Sequence, residues 1–133
     1  MRYTLDTNTI ILLLRENETV SRKFDHAVQQ GDTFIIPAPV NFEIMRGFKY
    51  KSAPKKEAMY NHLITLFSVG DITHDIWERA ADIYVDLRRA GRTPEDADLL
   101  IAAFSIINKC TLITTNTKHF DGIADLNHID WTV

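Results

Sequence analysis

Several things are scarce in this chain, and each scarcity excludes something. One cysteine, Cys110, in 133 residues rules out an internal disulfide and suits a reducing compartment; its place beside an apolar run makes it a small core residue. No stretch approaches the roughly 18 unbroken apolar residues of a membrane span. The N-terminus lacks the charged segment and apolar run of a secretion signal, so a soluble, cytoplasmic protein is expected. There is no excess of basic charge: 15 Lys and Arg face 18 Asp and Glu, a net −3. Binding to nucleic acid must therefore come from local patches or from a metal, not from an overall field. Repeats, low-complexity tracts and linker-like shifts are also missing, which points to one domain over residues 1–133. The five histidines, His26, His62, His74, His119 and His128, show no ligand-like spacing. They read as surface residues, which excludes a nitrogen- and sulfur-liganded site.

What the chain does have is 45% apolar content, enough for one core, arranged in alternating periods. Arg2–Leu5 reads as a strand and Thr9–Leu14 as a short helix; Ser21–Gln30 has helical spacing and stops at Gly31. Thr33–Ile36 is β-branched and aromatic, hence a strand, and Pro37 and Pro39 end it before a helix from about Val40 to Tyr50. Pro54 opens a helix to about Leu66. Phe67–Val69 is a short strand candidate, Thr73 starts a long helix to Ala90, and Thr93-Pro94-Glu95-Asp96 opens the next. Thr111–Thr114 is a strand and His128–Trp131 a further candidate. Strands separated by helices of this length predict a mainly parallel sheet covered on both sides, a three-layer α/β/α sandwich.

In such sheets the ligand site lies off the carboxyl ends of the strands. Asp6 follows the first strand in Leu5-Asp6-Thr7-Asn8, where it serves either as a helix N-cap or as a carboxylate in that crevice. Glu43 lies between Phe42 and Ile44, in a helix with an apolar entry. Thr93 reads as an N-cap, Pro94 as the first helical residue and Asp96 as the return partner of a capping box. Asp98 has no such structural task, standing among Ala97, Leu99, Leu100 and Ile101, where a carboxylate is costly unless paired or bound to a cation. Asn116 closes Thr114-Thr115-Asn116 at the end of a strand. Brought to one sheet edge, Asp6, Glu43 and Asp98 would repel one another and remain ionised only around a cation. An all-oxygen donor set suits Mg²⁺ or Mn²⁺, and such ions activate water for phosphodiester cleavage.

Two basic clusters accompany these acids. Arg46, Lys49, Lys51, Lys55 and Lys56 are interleaved with Phe48 and Tyr50, a composition that grips single-stranded RNA or simply solvates a helix end. Arg88, Arg89 and Arg92 precede the Asp98 helix, placed to guide phosphate to a metal or to complement a helix C-terminus.

With Leu5-Asp6-Thr7-Asn8, Glu43-Ile44-Met45-Arg46-Gly47, Leu87-Arg88-Arg89-Ala90-Gly91-Arg92, Asp98-Leu99-Leu100-Ile101-Ala102-Ala103 and Leu112-Ile113-Thr114-Thr115-Asn116-Thr117-Lys118-His119-Phe120 in this order, the chain resembles the VapC-type toxins of the PIN-domain ribonuclease family along nearly its whole length. The terminal Ile129-Asp130-Trp131 fits as well. The resemblance implies a Mg²⁺- or Mn²⁺-dependent endoribonuclease, the toxin of a type II toxin–antitoxin pair, acting on cellular RNA such as a tRNA. It implies metal-binding carboxylates at Asp6, Glu43 and Asp98, a catalytic place for Asn116 where many PIN domains carry a fourth acid, and supporting roles for Asn8 and Thr114. It further implies a cognate VapB-like antitoxin that blocks the metal site, and a toxin homodimer. A solitary PIN ribonuclease in RNA processing shares these motifs. A phospho-acceptor signalling domain fits worse, because it needs adjacent acids after the first strand and Asp6 stands alone.

Overall fold

The computed structural model describes all 133 residues. Five short strands, β1 (Arg2–Leu5), β2 (Thr33–Pro37), β3 (Ser68–Gly70), β4 (Thr111–Ile113) and β5 (Asn127–Ile129), form one sheet in the order β3-β2-β1-β4-β5, every pair parallel. The helices are α1 (Thr7–Leu14), α2 (Glu18–Gln29), α3 (Ala38–Tyr50), α4 (Pro54–Leu66), α5 (His74–Arg89), α6 (Asp96–Ile107) and a single turn, α7 (Thr117–Phe120). Successive strands step outward from β1 to β3, then the chain crosses back and steps outward from β4 to β5. Right-handed crossovers therefore place α1–α4 on one face and α5–α7 on the other.

Side-chain packing agrees with this division. Tyr3 and Phe34 share one row of the sheet, and Phe34 meets Phe24 of α2 at 5.1 Å between ring centroids. The opposite face of β2 and β3 lies against Phe104 of α6. Val20, Phe24 and Ala27 make the buried stripe of α2, a spacing of three to four residues that keeps one helix face on the sheet. In α6 the run Ile101–Ser105 is buried throughout, because the helix is enclosed by the sheet, by α5 and by α3. Cys110 is buried beside β4, as its sequence context implies, and burial pushes its thiol pKa up to about 11, so it is an inert core residue at neutral pH.

The three-layer sandwich follows the expected order, with shifts at several element ends. Helix α3 begins at Ala38: Pro37 ends β2 in the sheet, and Pro39 sits in the first helical turn, where its missing N–H leaves no bond unmade. Helix α6 begins at Asp96, not in the Thr93-Pro94 stretch, with Glu95 as an extended N-cap whose side chain makes no capping bond. Thr93 and Pro94 lie outside the helix, before the Glu95 cap, so the Thr93–Asp96 capping box does not form. The last strand ends before Trp131. The Asp130 carboxylate accepts the Thr132 N–H and hydroxyl, a tight turn that releases Trp131 from the ladder to pack edge-on against Tyr3. The turn α7 is too short to leave a periodic signal.

Gly70 carries a specific packing demand. A Cβ there would stand 2.7 Å from two ring carbons of Phe104 and 3.2 Å from Ile35, and Phe104 is 1% exposed with no space to retreat. Gly70→Ala is expected to destabilise the fold by about 1–3 kcal/mol through overpacking, measured by urea unfolding; an unchanged midpoint would show that α6 does not press on β3 this closely.

Candidate functional site

The switch in strand order lies between β1 and β4, and the crevice beyond their carboxyl ends is where a parallel sheet leaves room for a ligand. Asp6 stands there, the first residue after β1, with only 5% of its surface exposed. Its backbone N–H bonds to the Ile113 carbonyl of β4 at 3.1 Å. Its Oδ1 accepts the Thr9 N–H at 2.8 Å, making it the N-cap of α1, and its Oδ2 accepts the Thr114 hydroxyl at 2.5 Å. The two readings of Asp6, cap and crevice carboxylate, are therefore one residue using both oxygens. Thr114 Oγ1 in turn accepts the Asn116 N–H at 3.0 Å, and Thr9 Oγ1 donates to the Ile113 carbonyl at 3.1 Å. Each carboxylate oxygen of Asp6 keeps acceptor capacity beyond its one protein donor.

Glu43 approaches from α3. It is half-buried beside buried Ile44, and its Oε2 accepts the hydroxyl of Thr7, the residue after Asp6, at 2.9 Å. Asp98 arrives from the first turn of α6, on the half-buried side, while Asp96 is exposed; a two-residue step turns a helix by about 200°, which separates them. Asp98 has a raised pKa: burial is the main cause, His119 opposes it, and the charges of Glu95 and Asp6 add to it.

The oxygen donors thus share the carboxyl edge, and their chemistry fits a hard divalent cation. As the side chains stand, no three acids or histidines close around a common ion position, since Glu43 is turned onto Thr7 and Asp98 onto His119. Asn116 caps α7 without a side-chain capping bond, and Asn8 is exposed on the first turn of α1.

The cations at this edge differ in how free their side chains are. Arg92 does not present a free guanidinium: it donates to the carbonyls of Asp121, Lys118 and His119 at 2.5, 3.0 and 3.0 Å, closing the α7 turn against the α5–α6 loop. Arg88 and Arg89 remain exposed on the last turn of α5. Four of the five histidines are exposed, as expected of surface residues, and His128 is half-buried; exposed His119 places Nδ1 3.0 Å from Asp98 Oδ2. In the other basic stretch, Arg46 and Lys49 are exposed, with Arg46 over the Phe42 ring at 5.2 Å. Phe48 packs inward beside Tyr60, at 6.1 Å between ring centroids, so Tyr50, 86% exposed, is the aromatic left free to stack. The Asn41 amide oxygen accepts the Tyr60 hydroxyl, and burial pushes that phenol up to about 12.

Two clefts flank the acids. One, of about 340 Å³, is lined by Gly91–Glu95, Asp98, Lys118 and His119, charged side chains with Pro94 among them. The other, of about 250 Å³, holds Thr7 and Glu43 among Ile11, Leu14, Ile44 and Phe48, with Lys51 and Lys56 at its border. The chain is thus a parallel three-layer α/β sandwich that brings carboxylates from three elements to the carboxyl edge of its sheet.

The particular family follows from comparison with known proteins. The PIN domain family model matches residues 3–126, and the chain belongs to that family. Ribonuclease VapC19 of Mycobacterium tuberculosis is 28% identical to it over 122 residues, covering 92% of this chain and 94% of that one. A chain in the structure of VapBC-1 from nontypeable Haemophilus influenzae matches with a TM-score of 0.86 and 26% identity, covering 100% of both chains. A chain of VapBC2 from Rickettsia felis, solved bound to a DNA fragment from the promoter, matches with a TM-score of 0.89 at 22% identity, covering 98% of this chain and 99% of that one.

The Thr114 hydroxyl is the donor that holds Asp6 in the crevice. Thr114→Val keeps the shape and removes it, leaving a buried carboxylate short of one bond, and is expected to lower stability by about 1.5–3 kcal/mol, the range for hydrogen bonds to charged groups. Thr115→Val, at a half-buried neighbour, serves as the control. Equal urea midpoints for both variants would mean that this bond does not hold Asp6.

Proposed function

We propose that the chain is the toxin of a type II toxin–antitoxin pair and cleaves cellular RNA, such as a tRNA, with Mg²⁺ or Mn²⁺. The observation that carries this reading is the convergence of Asp6 and Asp98 beside the Glu43 helix at the switch point of a PIN-domain sheet. The divalent ion supplies an activated water and charge stabilisation at the cleaved phosphodiester. Asp6, Glu43 and Asp98 would hold it, with Thr114 fixing Asp6 and Thr7 fixing Glu43. Asn116, with Asn8 on the first turn of α1, offers neutral donors for the phosphate or its water. Arg46, Lys49, Arg88 and Arg89 offer cations for the RNA backbone on either side, a role that counterion release makes sensitive to salt.

The partner reading rests on the names of the relatives, which include VapBC complexes, and on the surface. The cleft at Glu43 joins an apolar floor to a carboxylate, the right chemistry for a VapB-like antitoxin segment that lays apolar residues along α1 and α3. An Arg of that segment would pair bidentately with the acids in place of the metal. A second copy of the chain would cover the apolar face of α5 and α6, where Trp77 and Tyr84 are 54% and 45% exposed around Ala81, Leu99 and Leu100. No helix is long and apolar enough to cross a membrane.

The test uses protein freed of any antitoxin. Cleavage of RNA is expected in Mg²⁺ or Mn²⁺ and none in excess chelator. Asp98→Asn is expected to lose cleavage by roughly a hundredfold or more, the scale for removing a preorganised charge from a reacting site. It should fold at least as well as the parent at neutral pH. Because the pKa of Asp98 is raised in the fold, the protein is least stable, on this account, above that raised value, where Asp98 is ionised, and gains stability as pH falls through it. A neutral Asn removes that cost. Asp96→Asn should retain cleavage and change stability by less than about 1 kcal/mol, the limit for an exposed acid in a first helical turn. Robust cleavage without divalent ions, or loss of activity in Asp96→Asn but not Asp98→Asn, contradicts the assignment.

A further inference from the structure

The contact between Asp98 and His119 is unexplained by the family site as it stands, and it is part of a longer chain of bonds. Arg92 grips three carbonyls of the α7 turn, including that of His119 itself. The turn is further closed by the His119 N–H to the Asn116 carbonyl and the Asp121 N–H to the Thr117 carbonyl, both 2.9 Å. Its apolar anchor, Phe120, is 1% exposed. The backbone of His119 is therefore fixed by its own turn and by an arginine from a separate loop, and its ring is delivered onto Asp98 Oδ2 at 3.0 Å. Asp98 Oδ1 has no protein donor among the hydrogen bonds of the chain, and no other side chain bonds to Asp98.

We propose that His119 is a positioning residue for the cation site: held by the Arg92 clamp, it occupies Oδ2 of Asp98 and so presents Oδ1 to the divalent ion. This rests on the reading of Asp98 as a metal ligand. The physical argument is the one that governs ligand carboxylates in general. An Asp side chain on the first turn of a helix rotates freely about its terminal torsion, and a donor on one oxygen removes that freedom before the ion arrives. A bond to Oδ2 also leaves Oδ1 as a single ligating oxygen, which would suit a small cation that keeps most of its waters. The cleft beside it, lined by charged side chains and Pro94, gives those waters and the RNA phosphate room.

The experiment measures Mn²⁺ binding to the full chain, without RNA, by electron paramagnetic resonance, with unfolding midpoints of the metal-free proteins alongside. His119→Leu removes the donor and is expected to weaken Mn²⁺ by about ten- to a hundredfold, the range for losing a partner of a metal ligand, with little change in the metal-free midpoint because the ring is 54% exposed. His119→Asn, whose amide nitrogen stands near the place of Nδ1, is expected to restore most of the affinity. Arg92→Ala should weaken Mn²⁺ as well, and should add nothing to the loss already present in His119→Leu, since both act through one bond. Wild-type affinity in His119→Leu, tighter binding, or an Asn variant no better than Leu would overturn the proposal. If His119→Leu binds normally while Asp98→Asn does not, only the role of His119 falls; if the parent protein fails to bind Mn²⁺, the metal-nuclease reading falls with it.

Discussion

The structure turns on a single buried carboxylate. Asp6 ends the central strand, starts the first helix and ties the end of the neighbouring strand, using its backbone N–H, both side-chain oxygens and its position within the ladder at once. A carboxylate this enclosed is tolerable only when each oxygen is satisfied. Here the donors come from the two elements that flank the switch point. The fold and the site are thus one arrangement: the bonds that cap α1 and hold Thr114 also fix where negative charge stands at the sheet edge.

From that fixed point the rest of the edge is assembled from more exposed and adjustable groups. Glu43 and Asp98 reach in from helices on opposite faces of the sheet, each held by one hydroxyl or ring nitrogen, Thr7 and His119 respectively. The contrast is physical. Asp6 is locked by burial, whereas Glu43 and Asp98 are half-buried and each is held through one oxygen, which leaves its second oxygen without a protein donor. In the proposed function, the mutual repulsion of three acids is the reason to bind a cation, and the exposed cations of α3 and the end of α5 would meet a substrate whose phosphates the net charge of −3 does not attract.

Much of this was legible in the sequence because the responsible residues leave periodic or motif signals. The strands Arg2–Leu5 and Thr33–Ile36 and the helix from Pro54 to Leu66 are visible in alternation and punctuation; Asp6 is marked by its place after the first strand, Glu43 by its apolar neighbours Phe42 and Ile44, and Asp98 as an acid in apolar company. What escaped was set by tertiary contacts. Thr93-Pro94 carries the letters of a helix start, yet the helix begins only at Asp96, behind an extended Glu95. His119 lies in a one-turn helix with no period to read, and its meaning comes from Arg92, 27 residues earlier. Arg92 itself looked like a phosphate guide in a run of arginines; only the three carbonyls around it reveal a clamp. Phe48 resembles an RNA-stacking aromatic until its ring is found beside Tyr60.

The central claim, that the carboxylates of Asp6, Glu43 and Asp98 form one cation site at the switch point between β1 and β4, is tested most directly by locating the ion. Crystals of the protein soaked in MnCl₂ and measured at the manganese absorption edge are predicted to show an anomalous peak bounded by these three side chains, beyond the carboxyl ends of the two strands. A peak elsewhere, or none at this edge while Mn²⁺ is bound at another place, would contradict the account.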